Sequence, residues 1–198
     1  MGGDPIDVEC DWGLNGLRAH ARGRIVVIVD VLSFSTATTV AVSRGAEIFP
    51  CVWNDDRAAE LARLHQAEVA AKRGKGRFSL APSSLRAIPA GTRLVLPSPN
   101  GSTLSHEAMA LGAAGIVIGC IRNAAAVAKW INGKSAVVIA AGERWPDNSI
   151  RFAIEDWIGA GAILSRIKGK LSAPAEAAAA AFGKLPIRDT LAESPSGI

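Results

Sequence analysis

Five short apolar runs constrain this chain more than any other feature. They are "RIVVIVDVL" (24–32), "AEIFPCV" (46–52), "RLVLP" (93–97), "GIVIGC" (115–120) and "SAVVIAAG" (135–142). They are largely β-branched or leucine and apolar on both faces, as strands are when a sheet is covered on both sides. Helix-like stretches lie between them, at 35–44, 55–66, 103–112, 123–133, 154–168 and 173–184. "DDRAAELARLHQ" opens with acidic residues, which suit a helix N-terminus, and "APAEAAAAAFGK" is a strong local helix former. Alternation of strand and helix predicts an α/β fold, a three-layer α/β/α sandwich with a largely parallel or mixed sheet. The 198 residues are expected to form a single domain, 1–198, with no internal repeat and no linker.

Composition narrows the class of partner. Apolar residues make up 49% and charged residues 20%, so a packed globule is expected rather than disorder. The net charge of +4 is mild, and its one dense run is "AKRGKGR" at 71–77, read as a solvated loop. No aromatic residue interleaves with that run, and the chain has no Tyr, so no nucleic-acid partner is expected. Cys10, Cys51 and Cys120 are odd in number and have no metal-ligand spacing, which points to buried thiols in a reducing compartment. The N-terminus does not read as a signal peptide, and no apolar run is long enough to span a bilayer. A soluble, cytoplasmic protein without a membrane partner is expected.

In a parallel sheet, ligands bind beyond the carboxyl ends of the strands, so the residues that follow each run matter most. After the first come Asp30, Ser33, Ser35 and Thr36; after "RLVLP" come Ser98, Asn100, Gly101, Ser102 and Thr103. "GIVIGC" is followed by Arg122 and Asn123, and "SAVVIAAG" by Glu143, Arg144, Glu155 and Asp156. Hydroxyls and backbone amides at a helix start bind anions, and Gly101 lets a backbone approach a ligand closely. Asp30, Glu155 and Asp156 would repel a phosphate unless a hard cation lies between, and Mg²⁺ commonly uses one or two carboxylates with substrate oxygens and water. Such a set points to a metal-assisted reaction on an anionic ester.

Structural readings of the same residues stay open beside this one. Ser35 and Ser102 fit helix N-caps, Asn100-Gly101 fits a tight turn, and Glu155 and Asp156 suit a helix first turn. Asp30 is harder to explain structurally, since a carboxylate in an apolar run needs a partner. His20, His65 and His106 have no ligand spacing and read as surface or helix residues. Two motif matches fail. "NGKS" at 132–135 precedes a strand and has Ala128 where a phosphate-binding loop needs glycine. "DVLSFST" has Leu32 where an aspartyl-phosphate phosphatase carries its second aspartate.

Four blocks, "IVDVLSFSTATTVAVSRGA", "LVLPSPNGSTL", "GCIRNAAAVA" and "VVIAAGE…FAIEDWIGAGAI", together resemble the 2-phosphosulfolactate phosphatase family in order and spacing. The resemblance runs from about residue 24 to about 168. It implies an α/β/α fold and a Mg²⁺-dependent hydrolysis of 2-phosphosulfolactate to sulfolactate and phosphate, a step toward coenzyme M. The family's motif positions fall on Asp30, Ser35, Thr36, Asn100, Gly101, Ser102, Asn123, Ala141, Gly142, Glu155 and Asp156, with Gly159 and Gly161 behind for close packing. On this reading Asp30, Glu155 and Asp156 hold the metal and carry the catalysis. Ser35, Thr36, Asn100, Gly101, Ser102 and Asn123 bind a small phosphorylated acid, and a metal- or carboxylate-activated water is the nucleophile. A homo-oligomer is expected. Three departures stand out. Ser33 replaces a common arginine, with Arg122 or Arg144 as candidates to restore that charge. "SLAPSS" keeps only Pro82 of a Gly-Asn-Ser-Pro segment, and "SPSGI" stops where family members usually continue. A related phosphate monoester as substrate, or a non-catalytic protein that binds an anionic metabolite, are the alternatives.

Overall fold

The computed structural model describes residues 7–52, 57–147 and 149–194. In chain order the elements are β1 (Val8–Trp12), α1 (Gly13–His20), β2 (Ile25–Val29), α2 (Phe34–Val42), β3 (Glu47–Val52), α3 (Arg57–His65) and β4 (Glu68–Val69). A 3₁₀ turn at Pro82–Leu85 leads to β5 (Arg93–Ser98), α4 (Gly101–Ala110) and β6 (Gly115–Gly119). After a second 3₁₀ turn at Ile121–Asn123 come α5 (Ala124–Ile131), β7 (Ala136–Ala140), β8 (Glu143–Arg144) and β9 (Ile150–Arg151). The chain closes with α6 (Ile154–Leu164), α7 (Ala173–Lys184) and α8 (Ile187–Ala192). All five expected strands form. The expected helix at 55–66 is seen from Arg57; its acidic opening, Asp55 and Asp56, lies outside the described residues.

Every pairing in the two larger sheets is parallel. One sheet has the order β1-β7-β2-β6 and the other β3-β5-β4; β8 and β9 form a small antiparallel hairpin. The side chains of β2 show why its sequence has no polar face. Val27 and Val29 enter a cluster with Val127, Ile131, Ile163, Leu164 and Ala178 of α5, α6 and α7. Val26 and Ile28 enter another with Leu17, Leu104 and Ala108 of α1 and α4. Helices therefore cover both faces, giving the three-layer α/β/α arrangement. Each fully buried Val or Ile of β2 contributes roughly 1.5–3 kcal/mol, which leaves no room for a charge before the strand ends. The second sheet is likewise covered, by Phe34, Ala37 and Ala41 of α2 against Leu94 and Leu96 on one side, and by Ala62 of α3 against Val95 on the other.

Parallel pairing brings the carboxyl ends of β1, β7, β2 and β6 to one edge. Asp30 follows β2 there, between the ends of its neighbours β7 and β6. Helix α6 approaches this edge closely, because a Cβ on Gly159 would lie 2.8 Å from Val29 Cγ1 and meet Val31 as well. That approach carries the first turn of α6, with Glu155 and Asp156, up to the strand ends. Gly161 plays the same part toward α7, where a side chain would overlap the Ala178 carbonyl.

Candidate active site

Asp30 is the first polar side chain after β2, and it is buried, with 6% of its surface exposed. Its Oδ1 accepts the Phe34 N–H (3.1 Å), which opens α2. Its Oδ2 accepts the Gly101 N–H (2.9 Å), which opens α4, and lies 3.5 Å from the Ser98 hydroxyl. One carboxylate thus caps two helices and ties the end of β2 to the end of β5. The approach of α4 needs glycine: a Cβ at Gly101 would overlap the Phe34 ring and lie 3.0 Å from Asp30 Oδ2.

Asp156 is buried too and makes a second clamp. Its Oδ1 accepts the Val31 N–H (2.7 Å) just past β2, and its Oδ2 accepts the Gly142 N–H (2.9 Å) just past β7. Gly142 turns there with φ of +71°, a left-handed conformation that a side chain disfavours. Four backbone donors therefore converge on two carboxylates. Burial pushes the Asp30 carboxyl up to about 6, Glu143 pushes the same way, and the N–H donors of Phe34 and Gly101 pull against them. Asp156 is raised well above the ordinary carboxylate range by burial first and by the Asp30 charge second. Among the described residues no Lys, Arg or His forms an ion pair with either carboxylate.

The remaining expected residues divide into three groups. Glu155 starts the same helix turn, but its Oε2 accepts the Ser194 hydroxyl (2.7 Å). The expected three-carboxylate metal set is not formed as one cluster, because consecutive helix residues point about 100° apart. Among the described residues no group of three His, Cys, Asp or Glu side chains could hold a metal. Ser35, Thr36, Ser102 and Asn123 lie near the strand ends with their polar atoms turned to backbone. Ser35 Oγ donates to the Ile28 carbonyl (3.1 Å) and accepts the Asp30 N–H (2.9 Å). Thr36 donates to the Val31 carbonyl (2.7 Å) and Ser102 to the Leu96 carbonyl (3.0 Å). Asn123 accepts the Cys120 N–H (2.8 Å) and donates to the Ile118 carbonyl (2.9 Å), closing the turn after β6. These side chains frame the site, holding its backbone in shape.

A third group stands at the rim. Asn100 donates to Glu143 Oε1 (3.1 Å) and accepts Arg144 Nε–H (3.2 Å), so one amide bridges an acid and a base above Gly101. Asn100, Thr103, Glu143 and Arg144 line a crevice with Gly13 and Ile150. Arg122, one candidate for the charge absent at position 33, instead donates to Ser43 Oγ (3.1 Å) beyond the C-terminal end of α2. Arg73 is the residue that reaches Ser33, donating from its guanidinium to Ser33 Oγ. It belongs to the 71–77 run read from sequence as a solvated loop, and no spacing signal links it to a residue forty positions earlier. The histidines are engaged elsewhere: His20 on Asp11, His65 stacked on Phe49, His106 at the Pro50 carbonyl.

The donors at the centre suit a hard cation. They are carboxylate oxygens without nitrogen or sulfur ligands, and each Asp156 oxygen accepts one N–H and keeps a lone pair free. Asp30 Oδ1 likewise accepts a single N–H, and carboxylate oxygens with an unused lone pair match the way Mg²⁺ is held together with substrate oxygens. A family model described as 2-phosphosulpholactate phosphatase matches residues 15–194 of this chain. No curated protein matches it.

Proposed function

Because the chain belongs to the 2-phosphosulpholactate phosphatase family, we propose that it is a Mg²⁺-dependent phosphatase of 2-phosphosulfolactate or a closely related small phosphorylated acid, centred on Asp30 and Asp156. One observation carries this reading: two carboxylates buried at the strand ends, both raised by that burial and Asp156 further by the Asp30 charge, with no cationic side chain paired to them among the described residues. Such a pair is costly in a fold unless something positive shares the site. Bound there, Mg²⁺ supplies the Lewis acid that offsets charge on the phosphoryl oxygens. Asp30 and Asp156 would hold it, and their backbone clamps fix both carboxylates in advance, so little reorganisation would be needed on binding. Asn100 and Arg144, bonded to each other at the rim beside Gly101, would donate to the ester's oxygens, and water would be the nucleophile.

The test is phosphate release from a panel that includes 2-phosphosulfolactate and 2-phospholactate, with Mg²⁺ and then with chelator. Release that chelator abolishes and added Mg²⁺ restores is expected, and so is loss of that release in Asp30→Asn with the fold retained. No release from any member, or release indifferent to chelator, refutes the reading.

A further inference from the structure

The loop between β4 and the first 3₁₀ turn is held in a defined shape. Ala71 N–H donates to the Phe78 carbonyl (2.8 Å) and Lys75 N–H to the Lys72 carbonyl (3.0 Å). Gly76 passes so near Ala71 that a Cβ there would lie 2.6 Å from the Ala71 methyl. This closed turn places Lys72 and Arg73, both solvent-exposed, on the lining of a cavity of about 280 Å³, whose other lining residues are Ala70, Ala71, Leu80 and Pro97. Pro97 directly precedes Ser98, whose hydroxyl lies by Asp30, and Ser33 follows Asp30 by three residues. Arg73 therefore spans from the cavity to Ser33 at the start of α2, three residues past Asp30.

Its charge is unbalanced. Among the described residues no carboxylate forms an ion pair with Lys72 or Arg73, and the contact recorded for Arg73 is the neutral Ser33 hydroxyl. A guanidinium is weakly hydrated and presents planar paired donors, which match a carboxylate or sulfonate better than an ammonium does. The volume is close to the lower end of ligand pockets. Asn100 and Arg144 stand on the α4 side of Asp30. We propose that Arg73, assisted by Lys72, binds the anionic group of the substrate that is not hydrolysed, so that the enzyme selects phosphate monoesters bearing a second acid. This rests on the phosphatase reading above for the identity of the substrate, while its test does not require turnover.

The probe is sulfolactate, which carries the acid groups without the phosphate, titrated by calorimetry into wild-type protein, Arg73→Ala and Arg73→Lys. Loss of a charge-assisted contact predicts affinity weakened roughly tenfold or more in Arg73→Ala and partly restored in Arg73→Lys. Circular dichroism of each variant checks that the fold is kept. In turnover, Arg73→Ala should raise KM for 2-phosphosulfolactate and leave kcat/KM for isopropyl phosphate within about twofold of wild type. Wild-type protein that does not bind sulfolactate overturns the inference, as does Arg73→Ala binding it as tightly as wild type. An equal loss on both esters overturns it too, because Arg73 would then serve the phosphate. Sulfolactate held through Arg73 by a protein that releases no phosphate removes the phosphatase reading and leaves Arg73 as the anion-binding residue of a binding protein.

Discussion

Replacing Asp30 by asparagine separates the cost of its charge from the worth of its hydrogen bonds. The folded protein raises the Asp30 carboxyl from 3.8 to about 6, chiefly by burial. The folded state therefore binds this proton more tightly than the unfolded chain does. The resulting stability is fully present below pH 3.8 and is lost as pH rises through about 6. A shift of about two units corresponds to ~3 kcal/mol lost from the metal-free protein between about pH 4 and pH 8. Asparagine has no such proton. It does turn an NH₂ toward either the Phe34 or the Gly101 N–H, which costs ~1–3 kcal/mol at every pH. Asp30→Asn should thus be clearly less stable than wild type at pH 4–5 and nearly equal to it, or more stable, at pH 8. Asp156 adds to the effect, because part of its own upward shift comes from the Asp30 charge. The assay is urea denaturation in chelator at both pH values, followed by tryptophan fluorescence and circular dichroism to check two-state behaviour. A stability difference between the two proteins that stays constant with pH, to within about 0.5 kcal/mol, would refute the buried-charge argument.

Four further outcomes follow from the same geometry. Mg²⁺ at a fixed concentration one hundred times its dissociation constant at pH 8 should stabilise wild type by ~2.7 kcal/mol there and by less at pH 5, because protons compete for the same carboxylates; equal thermal shifts at both pH values would remove Asp30 and Asp156 as ligands. Glu155→Gln should leave Mg²⁺ affinity within about twofold while Asp156→Asn lowers it tenfold or more, since only Asp156 is aimed at the strand ends; calorimetric titration of both variants decides it. Gly101→Ala should cost ~1–3 kcal/mol and most of the activity, because the added methyl overlaps Phe34 and crowds Asp30, as read by denaturation and phosphate release. Cys10 is buried and its thiol is pushed up to about 12 by burial and then by Asp11 and Glu9, so it should resist alkylation in the folded protein at pH 8 and react on unfolding.

How much of this was legible in the sequence depends on where each residue finds its partner. Strands β2, β3, β5, β6 and β7 declare themselves because helices cover both faces and their positions are apolar apart from Glu47, Arg93 and Ser98 at strand ends. Strand β1 does not: it pairs along its length with β7 and at Val8 bridges Leu171, and Glu9 and Asp11 alternate with the buried Val8 and Cys10. With two charges in five residues, it reads as a loop. Helix α1 is hidden by Gly13 and Gly16, which lower helix propensity, although both are buried where its start packs. No helix among the described residues is long and apolar enough to cross a membrane, as the short apolar runs had implied.

At the site, position was legible and partnership was not. Asp30 stands out because a carboxylate closing an apolar run demands an explanation, and the structure supplies both a structural and a chemical one. Its N–H acceptor role caps α2 and α4, and that same burial leaves a carboxylate with which no Lys, Arg or His pairs among the described residues. Glu155 and Asp156 read alike in sequence, since acidic residues suit any first helical turn. Only the close packing of Gly159 on β2 decides that Asp156 meets the Val31 and Gly142 amides while Glu155 meets Ser194. Ser35, Ser102 and Asn123 have the polar atoms an anion site uses, yet those atoms are consumed by the turns that follow each strand. Helix starts at a sheet edge need such bonds whether or not a ligand is bound. The residues left to choose a substrate are therefore those whose charge the fold does not itself require, and Arg73 is one, brought to Ser33 by a loop whose sequence signals only that it is basic.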